Sequence, residues 1–291
     1  MNLTQLEVLV AIVETGSLTE AAEAVGLTQS AVSHALKRLE AELGVHLIER
    51  GHGEVSVTRI GEEVLQHVRA ALNQIELIHQ KTARERGLSV GKLRFGIVPN
   101  IPSQILTGIL RDFQHQYPNI EVVLFEGNER ELRDWIAQDI IDIGTVMLLD
   151  SYRAIVPLAQ SPIHILISSK HPLAKEAVLP LKALENEVLI GPKAEYETLA
   201  MLPEMKNINL PHSRYEVSAY RTIFAMVREG MGISMMPQMM VDPNAEGLLS
   251  LPTDPPLVLR AHLAANTDSP AATTFMQMAH RWASEAGIIP D

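Results

Sequence analysis

Apolar residues near the amino terminus recur every three or four positions. Leu3, Leu6, Leu9, Val10 and Val13 fall on one side of a helix, and Gly16 with Ser17 stops it. Thr19 is placed to cap a second helix holding Ala21, Ala22 and Val25. Gly26 follows where a chain often needs a left-handed residue. A third helix begins almost at once, with Thr28 as N-cap and an apolar face through Ala31, Val32, Ala35, Leu36, Leu39 and Leu43, ended by Gly44. The spacing therefore predicts helix, tight turn and helix. Gln29 and Ser30 stand at the start of the third helix, and Ser30, Ser33, His34, Lys37 and Arg38 fall largely away from its apolar face. Short hydroxyls and an imidazole near a helix amino end suit base edges, and cations further along suit phosphates. Residues 46–50 and 54–58 read as strands joined through Gly51-His52-Gly53, a hairpin able to lie beside a nucleic-acid backbone. Periodicity alone does not separate such a reading helix from an ordinary solvated one.

Further along, no Pro or Gly interrupts residues 62–86. Val64, Val68, Ala71, Ile75 and Ile78 follow steps of four, three, four and three, the seam of a helix that pairs with another. Thr58 can cap this helix, and Glu62 and Glu63 suit its positive end. Dimerisation is one reading, and an amphipathic helix packed on its own domain is the other. From Lys92 onward strands and helices alternate. Strands are expected at 92–98, 120–126, 141–146, 163–168, 188–191, 232–236 and 257–265, and helices at 102–116, 129–138, 219–229 and 271–286. That count fits two α/β lobes with a cleft between them.

Charge and composition narrow the chemistry. The 291 residues contain no cysteine, which excludes thiol nucleophiles, thiolate metal ligands and a disulfide scaffold. A net charge of −11 argues against a protein that coats nucleic acid by bulk attraction. Even residues 1–60 hold only four cations, Lys37, Arg38, Arg50 and Arg59, against eight Glu. Those cations cluster on the third helix and the hairpin, so any DNA contact must come from local geometry. The amino terminus lacks a basic segment and a cleavage pattern, and no window approaches the ~20 apolar residues needed to cross a bilayer, so a cytoplasmic protein is expected. No zinc-protease, nucleophile-elbow, phosphate-loop or dinucleotide motif occurs; Gly230-Met231-Gly232 lacks a third glycine. Asp139 and Asp142 suit capping of a strand start better than an acid/base pair. No enzymatic activity, metal or cofactor is expected.

Five segments carry a resemblance. Residues 16–22 (Gly-Ser-Leu-Thr-Glu-Ala-Ala), 28–34 (Thr-Gln-Ser-Ala-Val-Ser-His), 37–40, 43–50 and 57–61 resemble the winged helix-turn-helix of LysR-type transcriptional regulators. Asp142-Ile143-Gly144, His171-Pro172-Leu173-Ala174 and the run from Val227 to Pro237 are similar to that family's effector domain. The resemblance implies a DNA-binding domain over 1–58, a linker helix over 59–87 and an effector domain over 88–291. The fold class implied is α/β, with a helical winged helix-turn-helix in front of a two-lobed, periplasmic-binding-protein-like domain. One lobe would take 92–161 plus 266–291, and the other 162–265. It implies a dimer through the linker helix, often doubled to a tetramer, promoter DNA as partner, and a small effector in the cleft, with chain crossings near 151–161 and 265–268. By position, Gln29, Ser30, Ser33 and His34 would read bases, Lys37 and Arg38 would meet phosphates or a guanine edge, and Arg50 with His52 would serve the wing. His34 stands where Arg is frequent in the family, and Ile48 where Phe is frequent.

For the effector, the resemblance points to the loop 98–103. There Asn100 and Ser103 at a helix start would suit a carboxylate, or would equally serve as N-caps. Asn128 and Ser218, at the heads of later helices, are candidates of the same kind. Thr145 and Met147 are expected near the hinge, and Met147 is equally a core residue. The rival readings are a solute-binding or enzymatic two-lobed protein with a purely structural helical domain in front. The enzymatic reading leaves the first 60 residues unexplained, and the lack of an export signal opposes a solute-binding transport protein.

Overall fold

Asn2 opens helix α1 (Leu3–Thr15): its side chain accepts from the Gln5 N–H while the Gln5 side chain accepts from the Asn2 N–H. Gly16, at φ 65°, closes the helix in the left-handed conformation. Ser17, rather than Thr19, caps α2 (Leu18–Ala24); its hydroxyl accepts from Glu20 N–H, because the turn after Gly16 leaves Ser17 in the extended conformation an N-cap needs. Thr28 caps α3 (Gln29–Leu43), which ends at Gly44 with φ 71°. Strands β1 (Ile48–Arg50) and β2 (Val55–Val57) pair antiparallel, and α4 (Arg59–Glu85) follows, with the Thr58 hydroxyl accepting from Gly61 N–H. In this computed structural model all residues are described except 51–54, 86–89, 100, 150, 211–213, 243–244 and 290–291, and the side chains of Arg50 and Arg84. The predicted glycine turn of the hairpin lies outside the described residues.

The chain divides into two compact units, Met1–Gly91 with Ala137–Ile140, and Lys92–Ile136 with Ile141–Asp291. In the first, Leu6, Leu9 and Ile12 of α1 meet Ala21 and Ala22 of α2 and Val32, Leu36 and Leu39 of α3 in one core. Leu65 and Val68 of α4 complete that core, and Gly61 lets α4 start directly against the Leu47 carbonyl, where a Cβ would collide. Burial of this set holds the three short helices at fixed angles, which none of them could keep alone.

In the second unit one mixed sheet runs β4-β3-β5-β9-β6-β8. Its strands are β3 (Gly91–Ile97), β4 (Ile120–Glu126), β5 (Ile143–Val146), β6 (Ala154–Ser168), β8 (Ser234–Pro237) and β9 (Leu248–Ala265), with short β7 (Leu179–Pro180) beside β9. Helices α5 (Ser103–Gln116), α6 (Glu129–Ala137), α7 (Lys193–Ala200), α8 (Tyr220–Arg228) and α9 (Pro270–Glu285) pack around it. One lobe's core gathers Phe95, Phe113 and Phe275, whose ring centroids are 4.9 Å apart in the pairs Phe95–Phe275 and Phe113–Phe275. The other gathers Ile163, Ile165, Leu189, Ile233, Met235 and Leu257.

The second crossing between lobes differs from expectation. Strands β6 and β9 are 15 and 18 residues long and pair antiparallel along nearly their whole length, so each carries the chain from one lobe to the other without leaving the sheet. Ala261, Leu263 and Ala265 already belong to the first lobe's core. The second passage therefore falls inside β9, ahead of Ala265. The ladder shifts register at Pro157/Ala159 and Ile163/His164, the kind of irregularity that lets a long strand bend.

Candidate functional site

On α3, Val32, Leu36 and Leu39 are buried, while Gln29, Ser30, His34, Lys37 and Arg38 are exposed and Ser33 is half-buried. The Ser30 and Thr28 hydroxyls are 3.0 Å apart at the helix start. The acids nearest in sequence are occupied elsewhere. Glu40 accepts from Leu47 N–H at 2.8 Å and Ile48 N–H at 3.2 Å, fastening α3 to β1, and Glu42 pairs with the amino-terminal ammonium of Met1. Lys37 and Arg38 make no ion pair among the described residues, so two cations stand in solvent on one turn of the helix. Such a row, on a helix held by its other side, can meet the sugar-phosphate and base edges of a groove. The Arg50 side chain and His52 lie outside the described residues.

The α4 seam is divided. Val64 and Val68 join the core of their own unit, whereas Ala71 is exposed, Ile75 half-buried and Ile78 61% exposed. Only the second half of the expected dimer stripe is therefore uncovered.

Within the second unit, a cavity of about 520 Å³ opens between the lobes. One wall is made by Val98 and Pro99 after β3, by Glu126 to Glu129, and by Met147 after β5. The other is made by Pro192 to Glu195 and Thr198 of α7 and by Glu216 and Ser218 ahead of α8. Of the expected residues, Asn128, Met147 and Ser218 line it. Asn128 also caps α6: its Oδ1 accepts from Glu131 N–H at 3.0 Å, and Glu131 Oε2 accepts from Asn128 N–H at 2.8 Å. Thr145 is fully buried beneath the wall, its hydroxyl accepting from Val98 N–H at 2.9 Å. Ser103 is exposed outside the lining and caps nothing; Pro102 occupies the N-cap of α5 with no side-chain bond. Asn100 lies outside the described residues.

Sequence reasoning missed Glu195. It sits in the first turn of α7, half-buried, and accepts from the Tyr220 hydroxyl at 3.2 Å. Burial pushes its carboxyl up to about 7, with the Tyr220 bond pulling the other way. Beside it, the Tyr196 hydroxyl donates to Ile190 C=O at 2.6 Å, and burial pushes that phenol up to about 12. The segment 192–200 carries a Pro followed by Lys and Glu, a helix-start pattern, but nothing in it distinguishes a cleft carboxylate from one placed for the helix dipole. Among the described residues no His or carboxylate group gathers as a metal would require, and no helix is long and apolar enough to cross a membrane.

Comparison with known proteins decides the family. Residues 3–62 match the family described as bacterial regulatory helix-turn-helix protein, lysR family, and residues 86–284 match the LysR substrate binding domain. The chain belongs to the LysR family. It is 32% identical over 286 residues to the HTH-type transcriptional regulator YvbU of Bacillus subtilis, covering 96% of this chain and 98% of that one. It is 26% identical over 288 residues to the DNA-binding transcriptional dual regulator OxyR of Escherichia coli, covering 96% and 94%. A full-length cysteine-to-aspartate variant of OxyR from Pseudomonas aeruginosa shares the fold with a TM-score of 0.76 at 23% identity, over 97% of this chain and 95% of that one. This LysR-family protein is thus a DNA-binding transcriptional regulator with an effector-binding domain, and its family consists of regulators rather than enzymes.

Proposed function

We propose that this regulator reads promoter DNA through α3 and changes its activity when a small molecule enters the cleft between the lobes of its second unit. The observation that carries the first part is the exposed row Gln29, Ser30, His34, Lys37 and Arg38 on a helix whose opposite side is core. Gln29, Ser30, Ser33 and His34 take the base edges, Lys37 and Arg38 the phosphates, and Arg50 with His52 the flanking backbone. Two copies join through the uncovered half of α4, Ala71, Ile75 and Ile78, and a further doubling to a tetramer follows the family pattern. A DNA target places the working protein in the cytoplasm.

The second part is supported by the 520 Å³ cavity, whose size suits a metabolite. Relatives include proteins named as hydrogen peroxide-inducible gene activators. This chain has no cysteine, so thiol oxidation is not its signal and a reversibly bound ligand is. Fluorescence anisotropy with upstream genomic fragments against shuffled duplexes tests the DNA reading. Preference for one fragment is expected, with Lys37→Ala weakening all duplexes and lowering the slope of log K against log salt by about 1. Equal affinity for every fragment, or an unchanged slope, refutes it.

A further inference from the structure

We propose that the cleft takes an organic cation, an amine or guanidine, whose charged end pairs with Glu195. The proposal rests on the reading of this cleft as the effector site and names the chemistry of its occupant.

The lining carries five carboxylates, Glu126, Glu129, Glu131, Glu195 and Glu216, against one ammonium, Lys193. Two of the acids serve the fold. Glu131 holds Asn128 N–H, and both oxygens of Glu129 accept from Met147 N–H at 2.9 and 3.0 Å, with Leu148 N–H a further 3.1 Å donor. Lys193 is itself turned to Glu197, 3.8 Å away. Glu126, Glu195 and Glu216 are left with no cation in ion-pair range among the described residues. A concave surface with carboxylates of one sign focuses a negative potential, which repels an anionic ligand and draws in a cationic one.

Two further observations narrow the class. No three carboxylates or imidazoles converge on a point among the described residues, so a single metal ion would lack a ligand set, whereas a molecule with length can reach charges set apart along a cavity. Behind Glu195, Met147, Leu199, Met235 and Leu259 close off an apolar recess of only about 10 Å³, too small for any part of a ligand, so a counter-ion must meet this carboxylate from the main cavity. The carboxylate of Glu195 is held on one side by Tyr220, leaving its charge uncompensated until a counter-ion arrives. The expectation that the cleft serves a carboxylate ligand is thus reversed by the charges that face it.

Three probes with the same five-carbon spacing separate the possibilities in a thermal-shift titration of the full chain at pH 8 and low salt: 1,5-diaminopentane, 1,5-pentanediol and glutarate. Agmatine and spermidine extend the cationic arm. The diamine at millimolar concentration should raise the midpoint by several degrees, while the diol and glutarate leave it in place. Glu195→Gln should at least halve that response. Glu216→Gln, at an exposed position, serves where the first variant folds poorly. Glu285→Gln on α9, outside the cavity, should keep the full response and so controls for general screening of a chain with net charge −11.

A diamine response that survives both cleft variants would overturn the proposal, since it would come from bulk charge. So would a silent response to all three cations, or stabilisation by glutarate equal to that by the diamine. A glutarate response abolished by Ser218→Trp would sink the cation and leave the cleft as effector site. Failure of the effector reading itself would show differently, as ligand-bound protein whose promoter affinity never changes.

Discussion

Glu195→Gln is expected to stabilise the ligand-free protein above neutrality and to leave it nearly unchanged at pH 4. The carboxyl titrates at about 7 in the fold against an ordinary 4.5, so between those values the folded chain keeps a proton that the unfolded chain releases. Stability therefore falls as pH rises through that window and levels off above about 7, where the folded protein must carry the charge uncompensated. At about 1.4 kcal/mol for each pH unit of displacement the full penalty is about 3 kcal/mol, and solvent reaching this half-buried group reduces it to about 2 kcal/mol. The amide keeps the size of the carboxylate and still accepts from the Tyr220 hydroxyl. Tyr196 on the same helix and Tyr220 on α8 stay neutral across the window because burial raises both. Glu126, Glu129, Glu131, Glu216 and Lys193 line the same cavity, and the shift of Glu195 comes from its burial opposed by the Tyr220 bond. Thermal unfolding of the transition that carries the second unit, followed from pH 4 to 8.5, should show the variant about 4–8 °C higher at pH 8 and converging on the parent at pH 4. Parallel pH profiles, or a variant less stable at pH 8, would show that burial does not act on this carboxylate as argued. The same substitution that stabilises the empty protein should cost it the diamine response, an opposition that a purely structural role does not produce.

Ile78→Glu should weaken self-association at least tenfold in sedimentation equilibrium while leaving the unfolding midpoint of the first unit within a degree, since Ile78 is 61% exposed and outside that unit's core. Unchanged association would remove α4 from the interface. Gly61→Ala should cost about 1–3 kcal/mol, because its Cβ meets the Leu47 carbonyl and Val57 Cγ1 at 2.8 Å and must push β1 and β2 off the helix start; chemical denaturation of the first unit reads it. Asp142→Ala should cost about 2–4 kcal/mol. It leaves Arg94 without the carboxylate that accepts from its Nη2 at 2.7 Å, its Nε at 3.1 Å and its backbone N–H at 2.7 Å. An Asp142→Ala midpoint within half a degree of wild type would refute that accounting.

The helical domain was legible because its signals are local. Thr28, Gly16 and Gly44 act within one turn of themselves, and Val32, Leu36 and Leu39 share a face by periodicity alone. The cap on α2 slipped by two residues, since Ser17 and Thr19 have the same chemistry and only the backbone angle after Gly16 chooses between them. The long strands were less legible. Residues 154–162 and 248–256 include Pro157, Pro162, Pro252, Pro255 and Pro256, which read as breaks in a strand. The sheet accommodates two of the β6/β9 irregularities as register shifts near Pro157 and Ile163. A strand that bends between two lobes needs such places, so the residues that hid the strands are among those that let them cross.

The cleft shows the opposite limit, because its chemistry is assembled from distant segments. Asn128, Glu131, Ser103 and Glu195 all stand at helix starts, where a polar side chain is favoured by the backbone's own unpaired N–H groups. From sequence each is equally a cap or a ligand contact, and nothing in the local pattern separates the two. Folding separates them by what remains unsatisfied. Asn128 and Glu131 satisfy each other, and Ser103 is exposed outside the cavity lining. Glu195 is turned instead across to Tyr220, from a helix 25 residues later in the chain, and so spends its charge in the cavity rather than on its own helix. An anion site was inferred from helix starts taken singly; the sign of the cleft is a property of five segments brought together, and it is negative.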